Sequence, residues 1–146
     1  MQSFQDVLLL VKTAVLLTLV AVTVGKRFTR CSLSKELAKN GIPRREMANW
    51  VCLVNSESGM NTRAKHRNRD GSVDYGLFQI NNRYWCSPGP HNECRVKCKA
   101  LLSNNIKAAV KCAKFIYRRQ GFRAWYGWQA KCRGRNLSGF TKGCKF

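Results

Sequence analysis

Acidic residues are scarce in this chain. Its 146 residues hold 27 Lys and Arg against only 7 Asp and Glu, a net charge of +20. Histidine is scarcer still, at two residues, His66 and His91. No G-x-S-x-G elbow and no glycine-rich phosphate loop is present, and both histidines fall in polar, loop-like segments. A Ser-His-Asp nucleophile or a nucleotide-phosphate site therefore has little support. Internal repeats, long linkers and low-complexity tracts are also missing. The longest apolar run, after Lys12, is about a dozen residues, short for a membrane span.

That run fits a different purpose. Residues 13–24 are Ala, Val, Leu and Thr, with Thr23 and Gly25 at the −3 and −1 positions of a cut before Lys26. The pattern is that of a secretory signal peptide over residues 1–25, with one domain over 26–146. Its removal takes away one acid, Asp6, and one base, Lys12, so the charge is retained. Such a surface is drawn to polyanions: nucleic acid, anionic lipid or an acidic cell wall.

Eight cysteines remain, at 31, 52, 86, 94, 98, 112, 132 and 144. An even number behind a leader reads as four disulfides, although counting alone leaves 105 pairings. Zinc is the competing use for Cys86, Cys94 and Cys98 near His91, but their spacing is not a paired C-x-x-C framework.

A short helix is predicted over 32–39, capped by Ser32 or Ser34 and ended by Asn40-Gly41. A second begins at Pro43 and runs to about Ser58. Asp70-Gly71 signals a hairpin turn, and the strand-type run VDYGLFQI follows at 73–80. The clearest element is a third helix with Ile106, Val110, Ala113 and Ile116 on its apolar face. Lys107, Lys111, Lys114 and Arg118 form its basic stripe, Asn104 or Asn105 its cap, and Gly121 follows it. A short helix over 124–131 carries Trp125 and Trp128. The class is α+β.

With so few acids, each one is informative. Trp50, Leu53, Val54 and Glu57 fall at i, i+3, i+4 and i+7, which puts Glu57 on an apolar helix face. Either the helix ends there and Glu57 turns to solvent, or the carboxyl is held where its charged form is costly. Asp74 lies inside a strand between Val73 and Tyr75, either on an exposed face or for a task. A carboxyl in apolar surroundings and another in a polar strand are the tools for cleaving a glycoside. Trp85, Trp125 and Trp128 are core residues by default. With the amides Gln79, Asn81 and Asn82, they also suit a groove for sugars.

The segments NWVC at 49–52, ES at 57–58, DGSVDYGLFQIN at 70–81, RYWC at 83–86, CAK at 112–114 and AWYGW at 124–128 closely resemble the c-type (chicken-type) lysozymes, most of all the insect branch. The likeness covers essentially all of 26–146. It implies a lysozyme-like α+β fold, a helical lobe and a small antiparallel β-hairpin lobe with a cleft between. It implies the pairings Cys31–Cys144, Cys52–Cys132, Cys86–Cys98 and Cys94–Cys112. The implied activity is a secreted, antibacterial glycoside hydrolase that cuts the β-1,4 bond between N-acetylmuramic acid and N-acetylglucosamine in peptidoglycan, as a monomer without cofactor. By motif match Glu57 is the general acid and Asp74 the second carboxylate. Asn68, Gln79, Asn81, Trp85, Ala124 and Trp125 match substrate-binding positions. Lysozyme is the standard case of two carboxylates with separated pKa values, so those roles come from the resemblance.

The chain departs from the pattern at Tyr84, where many vertebrate members have tryptophan, and in a shorter, basic loop at Arg119 and Gln120. The stretch KALLSNN at 99–105 has no carboxylate, so no calcium is expected. The rival reading is a non-enzymatic cationic antimicrobial or carbohydrate-binding protein, for which charge and the basic stripe speak. Nucleic acid would be bound only nonspecifically.

Overall fold

The computed structural model describes residues 3–8 and 24–146. Most of the expected leader over 1–25 lies outside the described residues. Among the described residues no helix is long and apolar enough to cross a membrane.

Helix α1 spans Arg30–Lys39 and begins earlier than its serines suggest. Thr29, in extended conformation, is the cap, and its side chain accepts from the Ser32 amide while Ser32 caps back on Thr29. Ser32 is thus the third residue of a capping box, and Ser34 is buried, donating to the Arg30 carbonyl at 2.8 Å. Pro43 leads into a single 3-10 turn, Arg44–Glu46, and helix α2 follows over Met47–Ser58. Gly59, at φ 58°, ends it in the left-handed conformation that glycine adopts without a Cβ clash.

Helix α2 is the centre of the molecule. Met47, Trp50, Val51, Cys52, Leu53 and Val54 are all buried, so apolar contacts surround it instead of occupying one stripe. The Trp50 ring meets Tyr117, Phe122, Trp125 and Phe78 edge-on at centroid distances of 5.2, 5.1, 5.8 and 5.9 Å. Such pairs contribute about 0.5–1.5 kcal/mol each beyond their buried area.

Three short antiparallel strands follow, β1 (Lys65–Arg67), β2 (Val73–Tyr75) and β3 (Ile80–Asn81), in that order. The Asp70-Gly71 turn is present, with Gly71 at φ 83° and the Ser72 amide donating to Asp70. His66 lies in β1, not in a loop. The expected single strand over 73–80 is broken. Gly76 turns the chain at φ 71°, so close to Leu101 that a Cβ there would stand 2.0 Å from its carbonyl oxygen. Leu77 and Phe78 are then both buried, which strand alternation against one layer cannot achieve for neighbours.

Helix α3 spans Lys107–Gln120 and buries Ala109, Val110, Cys112, Ala113 and Ile116. The cap position falls to Ile106, which makes no side-chain cap, and Asn105 before it accepts from the Lys107 amide. Of the basic stripe, Lys107, Lys111 and Arg118 are exposed, while Lys114 leans onto the Asn40 carbonyl at 3.1 Å. The last expected helix is shorter at its start: Gly121–Ala124 is a 3-10 turn, Trp125 is extended, and helix α4 spans Tyr126–Lys131. All four expected disulfides form. Cys52–Cys132 ties α2 to the end of α4 across 80 residues of chain. Each bridge contributes about 2–4 kcal/mol by restricting the unfolded chain.

Candidate active site

A cavity of about 710 Å³ runs between the sheet and the helices. Glu57, from the last turn of α2, and Asp74, from the middle of β2, both line it. So do all six expected sugar contacts: Asn68, Gln79, Asn81, Trp85, Ala124 and Trp125.

Glu57 does not turn out to solvent. Its Oε1 accepts from the Gly127 amide at 2.8 Å, in the first turn of α4. Burial raises its pKa above the ordinary 4.5, and the charge of Asp74 pushes the same way. The amides of Gly127 and Trp128 and the charge of Lys131 oppose the shift without cancelling it. A Cβ on residue 127 would stand 2.6 Å from Glu57 Oε1, so glycine at that position lets helix and carboxyl meet. Trp125 is buried and its indole N–H donates to the Phe78 carbonyl at 2.9 Å, which fixes the ring against the cavity.

Asp74 has different surroundings. Across the sheet it faces His66 on one side and Asn81 on the other. Asn68 Nδ2 donates to its Oδ2 at 3.0 Å, and Asn81 Nδ2 to its Oδ1 at 2.8 Å. Both amides also reach the Ser72 hydroxyl, at 3.2 and 2.9 Å. That hydroxyl donates onward to Asp70 Oδ1 at 2.6 Å, and Arg83 closes the chain on Asp70 Oδ2 at 3.1 Å. The Ser72 hydroxyl and amide, with Arg83, hold the Asp70 carboxyl below the usual range. Sequence reasoning assigned Asp70 only to its turn and passed over Ser72. The D-G-S turn directly before the strand was the available signal.

The other amides divide. Gln79 lines the cavity in left-handed conformation, φ 48°, with its amide nitrogen committed to the Ala64 and Gly76 carbonyls. Its carbonyl oxygen is left for a ligand. Asn82 does not line the cavity: it ties the Val73 amide to the Pro88 carbonyl. Trp128 is likewise structural, stacked on Phe122 and donating to Asn49 at 2.9 Å.

The rim is aromatic and polar. Tyr84 is 46% exposed, and Tyr126, which the sequence did not single out, is 86% exposed. Tyr84 stacks on His91 at 5.9 Å. Arg119 forms an ion pair with Glu93, and both line the cavity, so the basic loop meets its counter-charge on the rim itself. Neither histidine lines the cavity. The cysteines near His91 are bonded to each other or to Cys112, which leaves them no thiolate for zinc. Ring faces for apolar sugar surfaces, amides for hydroxyls and two differently placed carboxyls make the cavity suited to a saccharide chain.

The sequence model of the C-type lysozyme/alpha-lactalbumin family matches residues 26–144. "Lysozyme c-1" of Anopheles gambiae is 49% identical over 129 residues, which span 86% of this chain and 92% of the relative. "Lysozyme" of Bombyx mori is 53% identical over 125 residues, spanning 82% and 91%. "Lysozyme C, milk isozyme" of Bos taurus is 46% identical over 139 residues, spanning 89% and 94%.

Proposed function

The chain belongs to the C-type lysozyme/alpha-lactalbumin family, and from that premise we propose that it is a secreted, antibacterial muramidase. It hydrolyses the β-1,4 bond between N-acetylmuramic acid and N-acetylglucosamine in peptidoglycan. One observation carries the reading: a half-buried carboxyl of raised pKa, Glu57, shares a cavity with a carboxyl held by two amides, Asp74.

The roles follow from these surroundings. Burial favours the neutral form of Glu57, which can deliver its proton to the leaving glycosidic oxygen. The Gly127 amide orients the carboxyl and prefers its ionised form, so it favours the loss of that proton. Asp74, accepting at both oxygens, bonds through a carboxylate oxygen to the anomeric carbon as the glycosidic C–O bond breaks and positive charge develops there. Glu57, now ionised, then takes a proton from water as water releases the sugar from Asp74, with overall retention. Asn68, Asn81 and Ser72 keep Asp74 in place. Gln79, Ala124, Trp85 and Trp125 contact the sugars.

Secretion with cleavage before Lys26 has its own support. The Lys26 nitrogen lies 2.9 Å from both Thr62 Oγ1 and Asn104 Oδ1. An amide has one hydrogen for these two acceptors, whereas the α-ammonium left by cleavage has three. The secreted domain acts as a monomer, and its charge speeds approach to anionic walls and binds nucleic acid only nonspecifically.

The test is digestion of purified peptidoglycan with wild type and Glu57→Gln, followed by identification of the new reducing-end sugar. N-acetylmuramic acid at the new end, appearing with wild type alone, supports the assignment. Another sugar, or equal release by both proteins, rejects it. A purely non-enzymatic antimicrobial role is less favoured, because it leaves the arrangement of Glu57 and Asp74 without a use.

A further inference from the structure

We propose that the sheet face turned away from Asp74 carries a second binding site, for the phosphodiester backbone of an anionic envelope polymer such as a poly(glycerol phosphate). This goes beyond the muramidase reading and does not rest on it.

The register separates the two faces. Asp74 and its cross-strand partners His66 and Asn81 share one face, from which Asp74 and Asn81 line the cleft. Val73 and Tyr75, with their cross-strand partners Arg67 and Lys65, take the other. Behind that second face lies a cavity of about 540 Å³. Lys65, Lys97 and Lys99 supply its cations, and Tyr75, Pro88 and Leu102 its apolar floor.

Among the described residues no carboxylate lines this cavity. The ion pairs of the described residues are Lys39–Glu36, Arg83–Asp70 and Arg119–Glu93, and none uses these three lysines. Lys65 instead lies over the Tyr75 ring, 5.3 Å from its centroid. Lys97 and Lys99 flank Cys98, which is bonded to Cys86, and Ser87 pairs with Lys97 as an isolated bridge. The backbone presenting them is therefore held in place. Three exposed lysines line a mostly apolar pocket that holds no carboxylate among the described residues.

The chemistry of the occupant follows. Lysine binds phosphate as a compact point charge, and three such charges suit a repeating anion better than one planar carboxylate. The apolar floor suits the C–H groups between successive phosphates. Among the described residues Tyr75 is the only aromatic ring lining the pocket, and it is half-buried beneath Lys65, so no open face is offered to a nucleic-acid base. Because the pocket opens away from the cleft, a polymer held there leaves the cleft free.

The probe is a soluble, defined poly(glycerol phosphate) oligomer, titrated against three forms of the expressed full chain by calorimetry at fixed salt. These are wild type, the triple Lys65→Gln/Lys97→Gln/Lys99→Gln, and the charge-matched triple Lys107→Gln/Lys111→Gln/Arg118→Gln on the α3 stripe. The pocket triple is expected to bind about tenfold more weakly and the stripe triple less than about twofold. The single variants Lys97→Gln and Lys99→Gln, each about twofold weaker, guard against a folding defect in the triple. Equal losses in the two triples overturn the proposal in favour of diffuse charge. So does a wild type that fails to bind the oligomer, or one that binds only phosphatidylglycerol vesicles.

Discussion

The Gly127 amide donates to Oε1 of Glu57 at 2.8 Å, across 70 residues of chain. A helix end and a helix start, brought together by packing and by Cys52–Cys132, thereby hold one carboxyl in a single pose. The contact favours the ionised form while burial favours the neutral one, and burial wins. A proton donor near neutral pH needs that balance.

Gly127→Ala tests the contact most directly. The added Cβ would stand 2.6 Å from Oε1 and 3.2 Å from the Ser56 Cβ, so the carboxyl must move. We expect kcat to fall about 10- to 100-fold with KM little changed, because geometry is lost rather than substrate contact. Steady-state kinetics with a soluble oligosaccharide reads this. An unchanged kcat would show that the pose is not needed.

Glu57→Gln and Asp74→Asn remove the two carboxyls at nearly constant shape. Each is expected to lower wall clearing about 10²- to 10⁴-fold while the protein stays folded. Clearing that survives both substitutions rejects the assigned roles.

Stability should carry a signature of Glu57. Its pKa in the folded protein is raised above the ordinary 4.5, so below 4.5 both states are protonated and its stability contribution is complete. As pH rises toward the folded-state value, the unfolded chain ionises first and that contribution is lost. Glu57→Gln does not ionise. Its Tm relative to wild type should therefore climb as pH goes from 4 to neutrality, a trend that calorimetry measures. A difference constant with pH would contradict the raised value.

Ser72→Ala removes the hydroxyl that links Asp70 to both Asp74 amides. Leaving those partners short of a bond should cost about 1–3 kcal/mol by denaturant unfolding. Activity should fall less than in Asp74→Asn, since Asn68 and Asn81 still reach the carboxylate directly. Equal activity losses in the two variants would make Ser72 more than a support.

Much of this molecule is local in origin and was legible as such. The i, i+3, i+4, i+7 apolar spacing around Trp50 marks α2, Asn40-Gly41 and Gly121 close helices, and Asp70-Gly71 makes its turn, because each depends on neighbours within about one helical turn. The local reading failed where distant residues intervene. Strand propensity ran from Val73 through Ile80, yet the chain turns at Gly76, where the Leu101 carbonyl leaves no room for a Cβ. Ser32 looked like a cap, yet the extended entry through the Arg27–Asn61 bridge leaves that position to Thr29.

The site divides in the same way. Glu57 and Asp74 stood out as oddly placed acids in an acid-poor chain, and the familiar motifs supplied their roles and the cysteine pairings. Residue order alone determined the helices, the turn and which carboxyls were worth attention. Only the folded chain decided that Glu57 is partly desolvated, that Ser72 joins Asp70 to the amides holding Asp74 and that Lys65, Lys97 and Lys99 share a pocket. Desolvation and convergence belong to packed neighbours from distant segments, and no short-range pattern encodes which segments meet.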